Sequence, residues 1–192
     1  MLRPDYFRIL EELSALVHSA VSAACRDNEG MTRQGLYNMR LESDRKICMI
    51  EESLFIDFVP PLERESIASY AHCLSRAIDR AIDYHADLSL TGGFHSKYGD
   101  NEEGKICVEL SEKLCRETAL LRKIKKSGKM PNLTDFRNTL HRGREAHNRS
   151  LSHIGAGSLP RSYGHAVLSA ARLRRELSLC FDKLVEMMLD NI

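Results

Sequence analysis

Phe7, Leu10, Leu13, Val17, Ala20 and Ala24 recur at steps of three and four residues, and five further segments repeat that spacing. A helix turns once in 3.6 residues, so such positions share one face, whereas a strand would need strict alternation. The first stripe predicts a helix over about residues 5–26, ended by Asp27-Asn28-Glu29-Gly30. Thr32 stands at the N-cap of a second, which carries Leu36, Met39, Ile47, Ile50 and Leu54. It runs to Phe58-Val59-Pro60-Pro61, where the proline ring and missing amide stop it. A third starts near Leu62, with Glu63 and Glu65 in the first turn, where the helix dipole favours negative charge. Its stripe is Ile67, Tyr70, Leu74, Ala77, Ala81, Tyr84 and Leu88. Residues 91–104 are polar and glycine-rich and read as the main loop. A fourth helix covers about residues 105–126. A fifth follows Pro131, capped by Asn132 or Thr134, and ends before Gly155-Ala156-Gly157. The sixth begins around Pro160, with Val167, Ala170, Leu173, Leu177, Cys180, Leu184 and Met187 on its buried face.

Six amphipathic helices joined by short turns predict an all-α antiparallel bundle. Composition agrees: the chain has no Trp, and aromatic residues make up 6% of it, while strands are enriched in such side chains. Lys and Arg number 28 against 27 Asp and Glu, which lacks the basic excess of a nucleic-acid binder. The densest basic cluster is Arg122, Lys123, Lys125, Lys126 and Lys129, and cations near a helix end offset its dipole. Cys25, Cys48, Cys73, Cys107, Cys115 and Cys180 form no CxxC pair, so they read as buried free thiols in a reducing compartment. No apolar signal core and no run near ~18 apolar residues occurs, so the expectation is a cytoplasmic chain that does not span a membrane.

The halves echo one another. Leu74-Ser75-Arg76-Ala77-Ile78-Asp79-Arg80 parallels Leu177-Ser178-Leu179-Cys180-Phe181-Asp182-Lys183. Met39-Arg40 followed by Asp44 parallels Leu140-His141 followed by Glu145. From Asp44 to Asp79 is 35 residues and from Glu145 to Asp182 is 37, a spacing expected of a repeated three-helix unit. The units would span about residues 1–92 and 105–192 of one domain, with residues 91–104 between them.

Phe58-Val59-Pro60-Pro61-Leu62-Glu63-Arg64-Glu65-Ser66-Ile67 resembles the junction between the second and third helices of the PhoU-like phosphate-transport regulators. Within that family it is most similar to the compact subgroup described as accessory proteins of Pit-type phosphate transporters. The resemblance implies two tandem three-helix units and Glu/Asp-x-x-x-Asp motifs whose acids share metal ions. Residues four apart lie one turn above each other, so two carboxylates can meet one ion, and oxygen donors suit Mg, Mn or Fe. In this chain the later acid of each motif is Asp44, Asp79, Glu145 and Asp182, while the earlier position is Arg40, Ser75, His141 and Ser178, with Glu42 an alternative partner in the second helix and His147 in a shifted fifth. A fixed charge at Arg40 opposes a cation. Unit two is therefore the better candidate, with His141 and Glu145 one turn apart and Asp182 on the next helix. The competing expectation is ordinary ion pairing, such as Asp79 and Asp83 with Arg76 and Arg80. An anion site lined by Arg and Ser is a third.

Gly99-Asp100-Asn101-Glu102-Glu103-Gly104-Lys105 has the outline of a phosphate loop, but Ile106 follows the lysine and three acids fill it. It reads as a linker with Asp100 or Asn101 as a helix cap. The densest polar run is His141-Arg142-Gly143-Arg144-Glu145-Ala146-His147-Asn148-Arg149, yet it lacks the Glu-x-x-His of a di-iron bundle. The expected function is a non-enzymatic regulator or accessory of phosphate uptake that binds a membrane transporter or regulatory protein. Such a protein would be peripheral at the inner membrane face, with self-association left open. The alternative is a metal-binding bundle, an enzyme or a store, whose divalent or iron-type ion sits on His141, Glu145, Asp182, Asp79 and Asp44.

Overall fold

The computed structural model describes residues 5–25, 33–57, 60–91, 101–123 and 131–190. Among them are six α-helices: α1 Tyr6–Cys25, α2 Arg33–Ile56, α3 Arg64–Ser89, α4 Glu102–Thr118, α5 Leu133–Gly155 and α6 Tyr163–Leu189. A single 3₁₀ turn, Leu121–Lys123, follows α4. The described residues contain no strand.

The width of each apolar stripe decides where its helix sits. In α3, Ile67, Tyr70, Leu74, Ala77, Ala81, Tyr84 and Leu88 are buried as the periodicity predicts, and Ala71, Cys73 and Ile78 widen the stripe. So broad a face can be covered only from several sides, and α3 packs against α6, α1 and α2. The equally broad face of α6 meets α3, α4 and α5. By contrast α2 buries Leu36, Ser43, Ile47, Ile50 and Leu54, and α5 buries Phe136, Thr139, Gly143 and Ala146. These narrow stripes place α2 and α5 on the outside. Between α5 and α6, Phe136 and Phe181 stack with centroids 3.8 Å apart, a contact contributing about 0.5–1.5 kcal/mol beyond burial. The main packing set, α3 on α6, α1 on α4, and each outer helix on its own unit, maps onto itself when units one and two are exchanged.

Helix starts differ from the sequence reading by two or three residues, although the anticipated caps Asn101 and Asn132 both form. The fourth helix begins at Glu102, so Glu103 and Gly104 are helical and buried rather than part of the loop. Asn101 is the cap: its Oδ1 accepts the Gly104 amide at 2.9 Å. This helix ends at Thr118, not near residue 126. Asn132 caps α5 by accepting the Asp135 amide at 3.1 Å. The third helix starts at Arg64 and the sixth at Tyr163, each a few residues later than the prolines suggested. The Asp27–Gly30 stop, the Thr32 cap and the Phe58-Val59 pair lie outside the described residues. Cys73, Cys107 and Cys180 are buried free thiols, but Cys48 is exposed, against the burial expected of it.

Candidate functional site

Unit one brings its two acids to one cation. Arg40 projects from α2; its Nε donates to the carboxylate of Asp79 on α3, and its Nη1 donates to Asp44 one turn along α2. The same Nη1 donates to Ser75 Oγ at 3.0 Å. Three of the four positions singled out by the acid-motif resemblance thus converge on the fourth. Burial works against the Arg40 charge, but Asp79 and then Asp44 outweigh it and hold the guanidinium more firmly protonated than usual. The local pairing anticipated for Asp79 is not the one formed. Arg76 reaches across to Glu176 on α6 at 2.9 Å, and only Arg80 and Asp83 pair along the helix, at 2.9 Å.

Unit two does not assemble its counterpart. His141 Nδ1 lies 3.4 Å from Glu145 Oε1, with the side chains 72% and 53% exposed. Asp182 is exposed on α6. Among the described residues no group of three or more His, Cys, Asp or Glu is placed to hold an ion. The metal cluster implied by the resemblance does not fit these residues: in unit one a guanidinium already takes the acids, and in unit two no third described donor joins His141 and Glu145.

The polar centre that sequence reasoning missed lies beneath the His141–Arg149 run. Glu103, in the first turn of α4, is only 4% exposed, and neither carboxylate oxygen has a hydrogen-bond partner among the described residues. His147 Nδ1 on α5 stands 3.4 Å away and Arg174 Nη1 on α6 stands 3.6 Å away. Burial raises the Glu103 carboxyl above its ordinary range, and His147, Ser150 and Arg174 only partly restore it. Arg174 is held by the Gly143 carbonyl at 2.6 Å. A Cβ at position 143 would sit 2.5 Å from Arg174 Cδ and 3.1 Å from Ile106 Cγ2, so the glycine is what lets the arginine cross beneath α5. The sequence did carry a signal here, a glycine inside a helical pattern, which implies close packing. A second node joins α4 to α5: Lys113 Nζ donates to Asp135 Oδ1 at 2.7 Å and to Thr139 Oγ1 at 2.8 Å. Chemically these groups tie three helices together, and the carboxylate of Glu103 is enclosed rather than presented to a substrate. At the opposite end, a surface cavity of about 330 Å³ between the start of α3 and the end of α6 is lined by Glu63, Glu65, Glu186 and Asp190, with Lys183 beside them.

No family model matches the sequence, and no curated protein matches it. Among solved structures, a PhoU-like protein from Shewanella oneidensis MR-1 superposes with a TM-score of 0.70 at 13% identity, covering 96% of this chain and 99% of that one. At that identity the likeness speaks for architecture alone, and it is end to end: the chain has a PhoU-like fold.

Proposed function

We propose that this chain is a non-enzymatic regulatory or accessory protein of phosphate uptake that acts by docking on a transporter or its regulator. The observation that carries the reading is the end-to-end likeness to a PhoU-like protein, together with the residues 58–67 junction that pointed to the same family. The finer assignment, to the accessory proteins of Pit-type transporters, rests on that junction. A place at the inner membrane face then follows from the partner, since no helix of the described residues is long and apolar enough to cross a membrane. We read the two three-helix units as an internal duplication within one domain, a reading supported by the exchangeable packing of the halves.

Arg40 gives the reading its physical content. Its guanidinium does inside the chain what a shared ion would do between carboxylates, so the α2–α3 face is assembled without a cofactor. The test has two arms. Co-purification of the tagged chain with a Pit-type permease from the same genome, together with altered phosphate uptake in a deletion strain, is the expected result. Absence of both overturns the reading. Metal analysis of protein purified without chelator tests the alternative. Stoichiometric metal that disappears in His141→Ala/Glu145→Ala would establish an ion site in unit two and favour the metal-binding bundle.

A further inference from the structure

The two outer faces differ in charge. In unit one Arg40 is neutralised by Asp44 and Asp79. In unit two Arg137 and Arg144 on α5, and Arg172 and Arg175 on α6, are exposed, and none makes an ion pair with a described residue. Two fixed contacts set the level of these arginines on the neighbouring helices. Gly143 is bonded to Arg174, so Arg144 and Arg175 each follow one member of that pair. Phe136 stacks on Phe181, and Arg137 follows Phe136. At ~1.5 Å per residue the α5 pair is separated by roughly 10 Å and the α6 pair by roughly 4.5 Å, a patch about two turns long. Between residues 131 and 182 every basic side chain other than histidine is arginine: eight Arg and no Lys stand against four acids. Arginine's planar fork pairs with carboxylates through two parallel hydrogen bonds, which an ammonium cannot do.

The apolar residues in this patch have a regular spacing. Leu168 and Leu179 are 49% and 41% exposed, and with Arg172 and Arg175 they form a stripe at steps of four, three and four on the outer face of α6. Those are the steps of a coiled-coil seam. Two solvent-facing leucines bracketing two unpaired arginines suit a helix that offers apolar residues at both ends of the contact and carboxylates between them. A flat anionic surface fits less well, because Asp182 follows three residues after Leu179 on the same face and would be pressed against like charge. The acid-lined cavity between the start of α3 and the end of α6 sets the opposite sign at that end of α6, which orients an approaching dipolar partner.

We infer that the outer face of α6, with Arg137 and Arg144 beside it, is the docking seam for an acidic amphipathic helix of a protein partner. This rests on the docking reading above and names its surface. The probe is a capped, fluorescein-labelled synthetic helix carrying Leu-Glu-Glu-Leu at four-, three- and four-residue steps, titrated with the full chain by anisotropy. Wild type binds it, and Arg172→Glu/Arg175→Glu weakens binding roughly tenfold or more. Arg172→Gln/Arg175→Gln weakens it less, and Arg33→Glu/Arg45→Glu on α2 leaves it unchanged. Circular dichroism confirms that each variant is folded. No binding by wild type, or equal binding by the charge-reversed chain, overturns the inference. So does Arg-dependent binding to phosphatidylglycerol vesicles in place of the peptide. If the permease co-purifies equally with the charge-reversed chain, the seam is wrong and the docking reading stands. If peptide binding follows the arginines while no permease is recovered, the seam stands and the phosphate-uptake reading falls.

Discussion

Glu103, when ionised, holds its charge where solvent reaches 4% of the residue, and its partners stand at 3.4 and 3.6 Å. Because burial raises its pKa in the folded chain, the ionised form is better accommodated in the unfolded chain. Stability from this group is therefore full below the ordinary carboxylate range and falls as pH rises through the raised folded pKa. Glu103→Gln removes that step: its melting temperature should exceed wild type's at pH 7 to 8, and the gap should close or reverse near pH 4. A wild-type-like pH profile in the variant would mean that His147 and Arg174 compensate the charge fully. Gly143 sets a second residue-scale test. Alanine would gain about 1 kcal/mol of helix propensity, but its Cβ would meet the Arg174 stem at 2.5 Å, and overpacking typically costs about 1–3 kcal/mol. Gly143→Ala should therefore lose roughly 1 kcal/mol in urea denaturation, whereas an open helix glycine would show a gain.

Caps and stripe widths are where a helix becomes a positioned part. Asn101 serves α4 and α3 at once. Its Oδ1 caps the Gly104 amide, and its amide donates to the buried Tyr84 hydroxyl, whose proton burial holds well above the usual tyrosine range. Asn101→Ala removes a cap worth about 1 kcal/mol and leaves a buried hydroxyl without that donor, at about 1–3 kcal/mol. A total loss of about 2–4 kcal/mol by chemical denaturation is expected. Asn101→Ser keeps a capping oxygen and should lose about half as much. Equal losses would mean that the tie to Tyr84 dominates. The turn-rich stretch before α4 already carried this cap, since an Asn just ahead of two acids and an apolar stripe is an N-terminal signal. The loop reading of Glu103 and Gly104 nevertheless hid the buried glutamate, because a helix start placed three residues late turns a core position into a solvent position.

At the scale of the molecule, the most extensive helix packing, α3 on α6, crosses between the units, and α1 on α4 crosses between them as well. Neither half then covers its own apolar faces, and urea unfolding should show one transition. Gly143→Ala in unit two and Arg40→Met in unit one should shift its midpoint identically by circular dichroism and by tyrosine fluorescence. Two separable transitions would mean units of independent stability. The number of helices, their buried faces and the acids at Asp44, Asp79, Glu145 and Asp182 could be read in the chain itself, because periodicity and spacing are local and survive without neighbours. Pairing was decided only in three dimensions. Asp79 chose Arg40 over the nearer Arg76, which instead met Glu176 a hundred positions away. A side chain ion-pairs with whatever charge packing brings within about 4 Å, and that distance is set by how helices cross, which no spacing along one helix encodes.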